Sequence, residues 1–136
     1  MQEVILTKRF EFSGSHRYYR PQWSEEENRR IFGPNSRPHG HGHNYTLEVS
    51  VAGRLDEATG MVMNIVDLKA TVLEVLKEFD HKNLNVDTSY FKERIPTTEN
   101  IALVLWELIN QRLKNSALRT IRLYEDEDLF VEYHGE

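Results

Sequence analysis

The run His39-Gly40-His41-Gly42-His43-Asn44-Tyr45-Thr46-Leu47-Glu48-Val49-Ser50-Val51 constrains this chain more than any other stretch. From Asn44 to Val51 polar and apolar side chains alternate, the mark of a strand with one dry and one wet face. Alternate residues of a strand point the same way, so His41 and His43 present two imidazoles on one face where that strand begins. The glycines between them remove bulk beside the rings and let backbone approach closely. A first strand is predicted over residues 3–13, where apolar residues spaced by two run from Val4 through Phe12 before Ser13-Gly14-Ser15-His16 interrupts the pattern.

The rest of the chain supplies helices and further strands. Residues 17–38 form a long polar excursion with Pro21, Pro34 and Pro38, read as an ordered lid or interface loop with a short helix over 24–31. Turn residues at Gly53 and Asp56 to Gly60, followed by Met61-Val62-Met63, predict a hairpin after the alternating strand. Asn64 caps a helix whose Ile65, Leu68, Val72, Val75, Leu76 and Phe79 form one stripe ending near Asp80. Pro96-Thr97-Thr98-Glu99 opens a second helix with Ile101, Val104, Leu105, Leu108, Ile109 and Leu113 on its buried face. Strands over 118–125 and 129–134 close the chain. Because the helices are grouped rather than alternating with strands, the expected class is α+β, an antiparallel sheet of about four strands with helices on one side. Such a sheet has two open edges, which neighbouring subunits can protect. No repeat or linker divides the chain, so one domain spanning 1–136 is expected.

Composition narrows the chemistry. The chain has no cysteine, which excludes disulfides, thiolate catalysis and thiolate metal sites. With 22 acidic against 17 basic residues and no basic tract, neither nucleic acid nor a membrane surface is an expected partner. No apolar run approaches the roughly 20 residues of a membrane span, and Glu3, Lys8 and Arg9 interrupt the start where a signal peptide would be apolar. A cytoplasmic protein is expected. Any metal must rely on histidine, carboxylate or carbonyl ligands. Zinc held by three neutral imidazoles keeps a fourth position for water or substrate, the catalytic rather than the structural pattern. His41 and His43 supply two. His16, at the end of the first strand, is the best third. Using His39 instead would stretch the set over roughly 13 Å of one strand.

Other candidates divide between functional and plain readings. Asp80-His81 suits a carboxylate-oriented imidazole acting as a general acid or base, and equally suits a polar pair that ends a helix. Glu99 suits the positive end of its helix, Glu125 a solvated acidic cluster, and Trp23 and Trp106 suit packing.

The motifs Phe12-Ser13-Gly14-Ser15-His16, Phe32-Gly33, Pro38 to Tyr45, Gly60 to Asn64, Asp67-Leu68, Asp80 to Leu84, Pro96 to Asn100 and Tyr124-Glu125 together resemble the 6-pyruvoyltetrahydropterin synthase and 6-carboxytetrahydropterin synthase family. The spacing is closer to the pyruvoyl type. The resemblance implies the tunnelling fold, with two helices and a four-stranded antiparallel sheet per subunit. Three subunits would close a barrel, and two trimers would stack into a homohexamer. It implies zinc on His16, His41 and His43, a catalytic pair at Asp80 and His81, and pterin recognition by Glu125 with Thr97, Thr98 and Glu99. The implied activity is a zinc-dependent lyase acting on the side chain of 7,8-dihydroneopterin triphosphate or a related dihydropterin, in tetrahydrobiopterin biosynthesis.

One departure stands out. Family members carry a cysteine base before the metal histidines, and here Asn35 takes that place in the pyruvoyl-type register, or Arg37 in the carboxy-type. Neither titrates usefully near neutral pH. A related group that cleaves the dihydroneopterin side chain carries glutamate there, and none is present. The remaining bases are His81 oriented by Asp80, or His39 as a substitute near zinc, with a plain loop role preferred for His39. The alternatives to this lyase are a non-catalytic pterin-binding paralogue, an enzyme like 6-carboxytetrahydropterin synthase or one that cleaves the dihydroneopterin side chain, and a structural oligomer with an incidental histidine cluster.

Overall fold

A computed structural model describes residues 2–113 and 117–136. Two strands of equal length, β1 (Val4–His16) and β2 (His41–Gly53), pair antiparallel along their whole length and form the spine of the sheet. Three α-helices follow in chain order: α1 (Glu25–Phe32), α2 (Ile65–Leu76) and α3 (Thr98–Arg112). Strands β3 (Lys82–Asn83), β4 (Leu118–Asp126) and β5 (Leu129–Tyr133) complete one sheet in the order β3-β1-β2-β4-β5. The class is α+β, as expected. No helix among the described residues is long and apolar enough to cross a membrane.

Four expectations are corrected. The sheet has five strands and is mixed, because Lys82 and Asn83 pair in parallel with Gly14 and Ser15. Two residues are too few to carry a periodic signature. β1 does not stop at Ser13 but continues to His16, held by β2 on one side and by the N–H groups of His81 and Leu84, which donate to the Ser13 and Ser15 carbonyls, on the other. Met61–Met63 is not a strand. Both edges of β2 are already occupied by β1 and β4, so no ladder remains for a hairpin, and Val62 and Met63 pack against the core instead. Helix α2 ends at Leu76 rather than near Asp80: Glu78 and Phe79 donate to carbonyls three residues back, tightening the chain into turns.

One core lies between the sheet and helices α2 and α3. Alternation on β2 buries Tyr45, Leu47, Val49 and Val51, and on β4 buries Ile121 and Leu123. Against them pack Leu68, Val72, Val75 and Leu76 of α2 and Ile101, Val104, Leu105 and Ile109 of α3. The helix starts obey capping chemistry: the Asn64 side chain accepts from the Val66 N–H at 2.9 Å, and Thr97 Oγ1 from the Asn100 N–H at 3.1 Å. Leu105→Ala should cost about 2–5 kcal/mol in urea unfolding, whereas Val66→Ala, 68% exposed on α2, should cost less than about 0.5 kcal/mol.

Candidate metal centre and its surroundings

The pairing of β1 with β2 brings the histidines together. His16 lies directly opposite His41, and Gly14 opposite His43, so His43 is the diagonal neighbour of His16. All three rings project from the face that carries Phe12, Tyr45 and Leu47 into the core. Their centroids stand 4.7, 4.9 and 5.0 Å apart, and their ligating atoms lie within 4.8 Å of one another. Glycine makes the approach feasible at Gly40, where φ is +69° and an added Cβ would sit 2.7 Å from the His16 carbonyl oxygen.

Protonation follows from the partners. His16 is 1% exposed, and its Nδ1 lies 2.7 Å from the Pro96 carbonyl oxygen. A carbonyl only accepts, so Nδ1 carries the proton and donates it, leaving Nε2 bare in the neutral ring. Burial first, and then the neighbouring His41 and His43, lower the His16 pKa to about 4 despite that hydrogen bond. Burial and His43 also lower that of His41. Two buried nitrogens, Nε2 of His16 and Nε2 of His43, have no hydrogen-bond partner. Glu125 Oε1 stands 3.6 Å from each of them, held there by a 2.9 Å hydrogen bond from Thr98 Oγ1. A bare imidazole nitrogen facing a carboxylate oxygen is repulsive unless a cation lies between them. Two unpaired nitrogens, a third ring in reach and an adjacent carboxylate therefore fit a divalent metal ion. These three histidines can hold one.

The other predicted residues divide. Glu125 follows Ile121 and Leu123 in alternation on β4, so its carboxylate enters the core face beside Tyr45 rather than the solvated cluster. That alternation was the signal in the sequence for its burial. Thr98 joins it, but Thr97 spends its hydroxyl capping α3 and Glu99 is exposed in the first turn. Asp80 and His81 pair, Nδ1 to Oδ1 at 3.0 Å, and Asp80 Oδ1 also accepts the Ser13 N–H at 2.9 Å. That backbone donor, with the imidazole, holds the Asp80 pKa below its usual value. His81 adopts φ +61°. It shares a hollow with Ser13, His43 and Asn44, and there the Ser13 hydroxyl donates to Asn44 Oδ1 at 2.7 Å. Within one chain His81 lines the same hollow as His43 but is not among the residues whose ligating atoms converge. His39, Asn35 and Arg37 are exposed, and His39 stands outside the cluster. Sequence reading overlooked Tyr18, whose ring meets that of His16 edge to face with centroids 5.2 Å apart. Its hydroxyl lies against Thr98 near Glu125, and burial raises its pKa.

An α+β protein with a three-imidazole centre at one end of its sheet is the class that fold and site define. The family profile described as 6-pyruvoyl tetrahydropterin synthase matches residues 5–136. The 6-pyruvoyl tetrahydrobiopterin synthases of Pongo abelii and Homo sapiens are 45% and 43% identical over 135 residues, covering 98% of this chain and 93% of each relative. The solved structure of Caenorhabditis elegans 6-pyruvoyl tetrahydropterin synthase superposes with a TM-score of 0.96 at 32% identity, covering 100% of this chain and 98% of that one. The chain belongs to the 6-pyruvoyl tetrahydropterin synthase family and has its tunnelling fold.

The His16 environment has a measurable consequence in metal-free protein. A histidine whose folded pKa lies below its unfolded value leaves the unfolded state binding more protons between the two. Stability is then full above about pH 6.5 and falls as pH drops toward about 4, by roughly 3 kcal/mol. Urea unfolding of chelator-treated protein across that window should show the slope, and His16→Gln should flatten it.

Proposed function

We propose that this chain is a zinc-dependent lyase acting on the hydroxylated side chain of a dihydropterin, of the 6-pyruvoyltetrahydropterin synthase type, and that it works as a homo-oligomer. The observation that carries the reading is the pair of buried imidazole nitrogens without hydrogen-bond partners beside the Glu125 carboxylate, with His41 completing a three-nitrogen face. The names of the similar proteins support the substrate class. Zinc on His16, His41 and His43 would supply Lewis acidity, lowering the pKa of side-chain hydroxyls and stabilising negative charge on their oxygens.

The chain's own groups do the rest. The Pro96 carbonyl fixes the tautomer and direction of His16. Glu125, steadied by Thr98, offers an anionic acceptor for N–H groups of an aminopyrimidinone ring. Thr97 and Glu99 flank it at the start of α3. His81, oriented by Asp80, moves protons, since no thiolate exists here and Asn35 offers no base. In this reading His81 acts on the metal centre of a neighbouring subunit. β5 is an open sheet edge with Leu129 and Phe130 exposed, and no strand pairs with β1 on its outer side from Val4 to Phe12, where Val4 and Ile5 are exposed. Copies of the chain joined edge to edge would close a barrel of three subunits and bring one subunit's His81 toward the next one's histidines, and stacking of two trimers gives the hexamer.

Asn35 in the cysteine position favours a second reading, a pterin-binding protein without turnover. Product analysis by mass spectrometry separates them: zinc-loaded protein is given 7,8-dihydroneopterin triphosphate, dihydroneopterin and sepiapterin separately. The lyase reading expects a changed side chain with at least one, and unchanged side chains with all three would leave only binding. His81→Ala should lower kcat by about 10²–10⁴ with zinc content intact. Mixed oligomers of His81→Ala and His41→Ala subunits should regain turnover, and a mixture as inactive as its parents would refute the shared site.

A further inference from the structure

The lyase reading leaves Tyr18 without a part, although this side chain touches both the metal centre and the residues beside it. Its N–H donates to the Asn35 carbonyl at 2.8 Å, which ties the start of the polar excursion to its end. Its ring meets that of His16 edge to face with centroids 5.2 Å apart, and that of Phe32 on α1, also edge to face, at 6.1 Å. Phe32 in turn stacks on the exposed Trp23 at 5.9 Å. Packed rings therefore lead from the surface of this segment to a buried histidine of the cluster, and Tyr18 is the last of them. The ring alone accounts for that packing. The hydroxyl does not follow from it.

Hydrogen-bond accounting gives the hydroxyl its place. Thr98 is buried and is the first residue of α3, where backbone N–H groups have no partner within the helix. The Thr97 hydroxyl is already taken by the Asn100 N–H. The Tyr18 hydroxyl stands against both the N–H and the hydroxyl of Thr98. Since Thr98 Oγ1 gives its one hydrogen to Glu125 Oε1 at 2.9 Å, its oxygen is left as an acceptor for the Tyr18 O–H. A hydroxyl that receives a hydrogen bond donates a stronger one, so the link from Thr98 to Glu125 gains from Tyr18. His16 needs no such help, because its Nδ1 is held by the Pro96 carbonyl at 2.7 Å.

We infer that Tyr18 is a positioning residue for Glu125: its hydroxyl, acting through Thr98, holds the carboxylate in the direction in which it accepts the N–H groups of a dihydropterin ring. The inference rests on the lyase reading for the ligand and adds the residue that decides how firmly the ring is held. A carboxylate fixed before binding loses less freedom when the ligand arrives than one still free to turn, so the effect falls on affinity. Phenylalanine in place of Tyr18 keeps the packing on His16 and Phe32 and removes only the hydroxyl.

Calorimetric titration of zinc-loaded protein with 7,8-dihydroneopterin tests this without reference to turnover. Tyr18→Phe should bind the pterin about tenfold more weakly, the worth of one hydrogen bond, with zinc content unchanged. The loss should depend on Thr98: in a Thr98→Val background, where the link is already cut, adding Tyr18→Phe should weaken binding by less than about twofold. Unaltered affinity in Tyr18→Phe, or the same loss in both backgrounds, would overturn the assignment, because a merely structural effect of the hydroxyl would not need Thr98. The crystal structure of Tyr18→Phe supplies a readout that needs no ligand. The Glu125 carboxylate is expected to turn away from Thr98, and a carboxylate still in place on the Thr98 hydroxyl would equally overturn the assignment. Should the unaltered protein bind no dihydropterin, the lyase reading falls, and with it the ring as the ligand of Glu125, while the crystal structure still decides whether Tyr18 holds that carboxylate.

Discussion

The register between β1 and β2 is the constraint on which the rest of the structure depends. It sets His16 against His41 and leaves glycine opposite His43, so three imidazoles share one face at the end of the sheet. A slip of one residue would turn His41 and His43 to the other face and expose Leu47, Val49 and Val51 to water. Core and site are therefore specified by one pairing. Burial of those apolar residues is what prevents the slip, and the histidines inherit their position from it.

The site carries costs that the surrounding core offsets. An imidazole is buried beside two others, and a carboxylate is drawn inward at a position where alternation calls for an apolar residue. Each is answered by a specific partner: the Pro96 carbonyl for His16 Nδ1 and the Thr98 hydroxyl for Glu125. What stays unanswered is the pair of Nε2 atoms. Buried polar atoms without partners are rare in folded proteins, and where they converge with a carboxylate at hand, a cation is the simplest completion. Proton-transfer chemistry is arranged differently. Asp80 and His81 follow from the short parallel contact of β3 with β1 and stand outside the convergent histidines, and the proposed mechanism has them act across a subunit boundary.

Much of this was legible in the residues, and the omissions have physical causes. Alternation on β2 and β4 and the stripes of α2 and α3 announced the core, because burial of one face is a local pattern. His16, His41 and His43 were legible as a ligand set from strand periodicity and glycine spacing. The end of β1 was misjudged because Ser13 to His16 is polar or small, and such a segment pairs only when a partner with a matching backbone is at hand. β3 and the loss of the Met61–Met63 strand were not legible either, since both depend on which sheet edges remain free.

Structure determination of zinc-reconstituted protein, with anomalous scattering to locate the metal, tests the central claim most directly. The account predicts one zinc per chain, bound by nitrogen atoms of His16, His41 and His43 at about 2.0–2.1 Å, with His16 Nδ1 still donating to Pro96. A protein that takes up no stoichiometric metal, or that binds it without His16, would contradict the account.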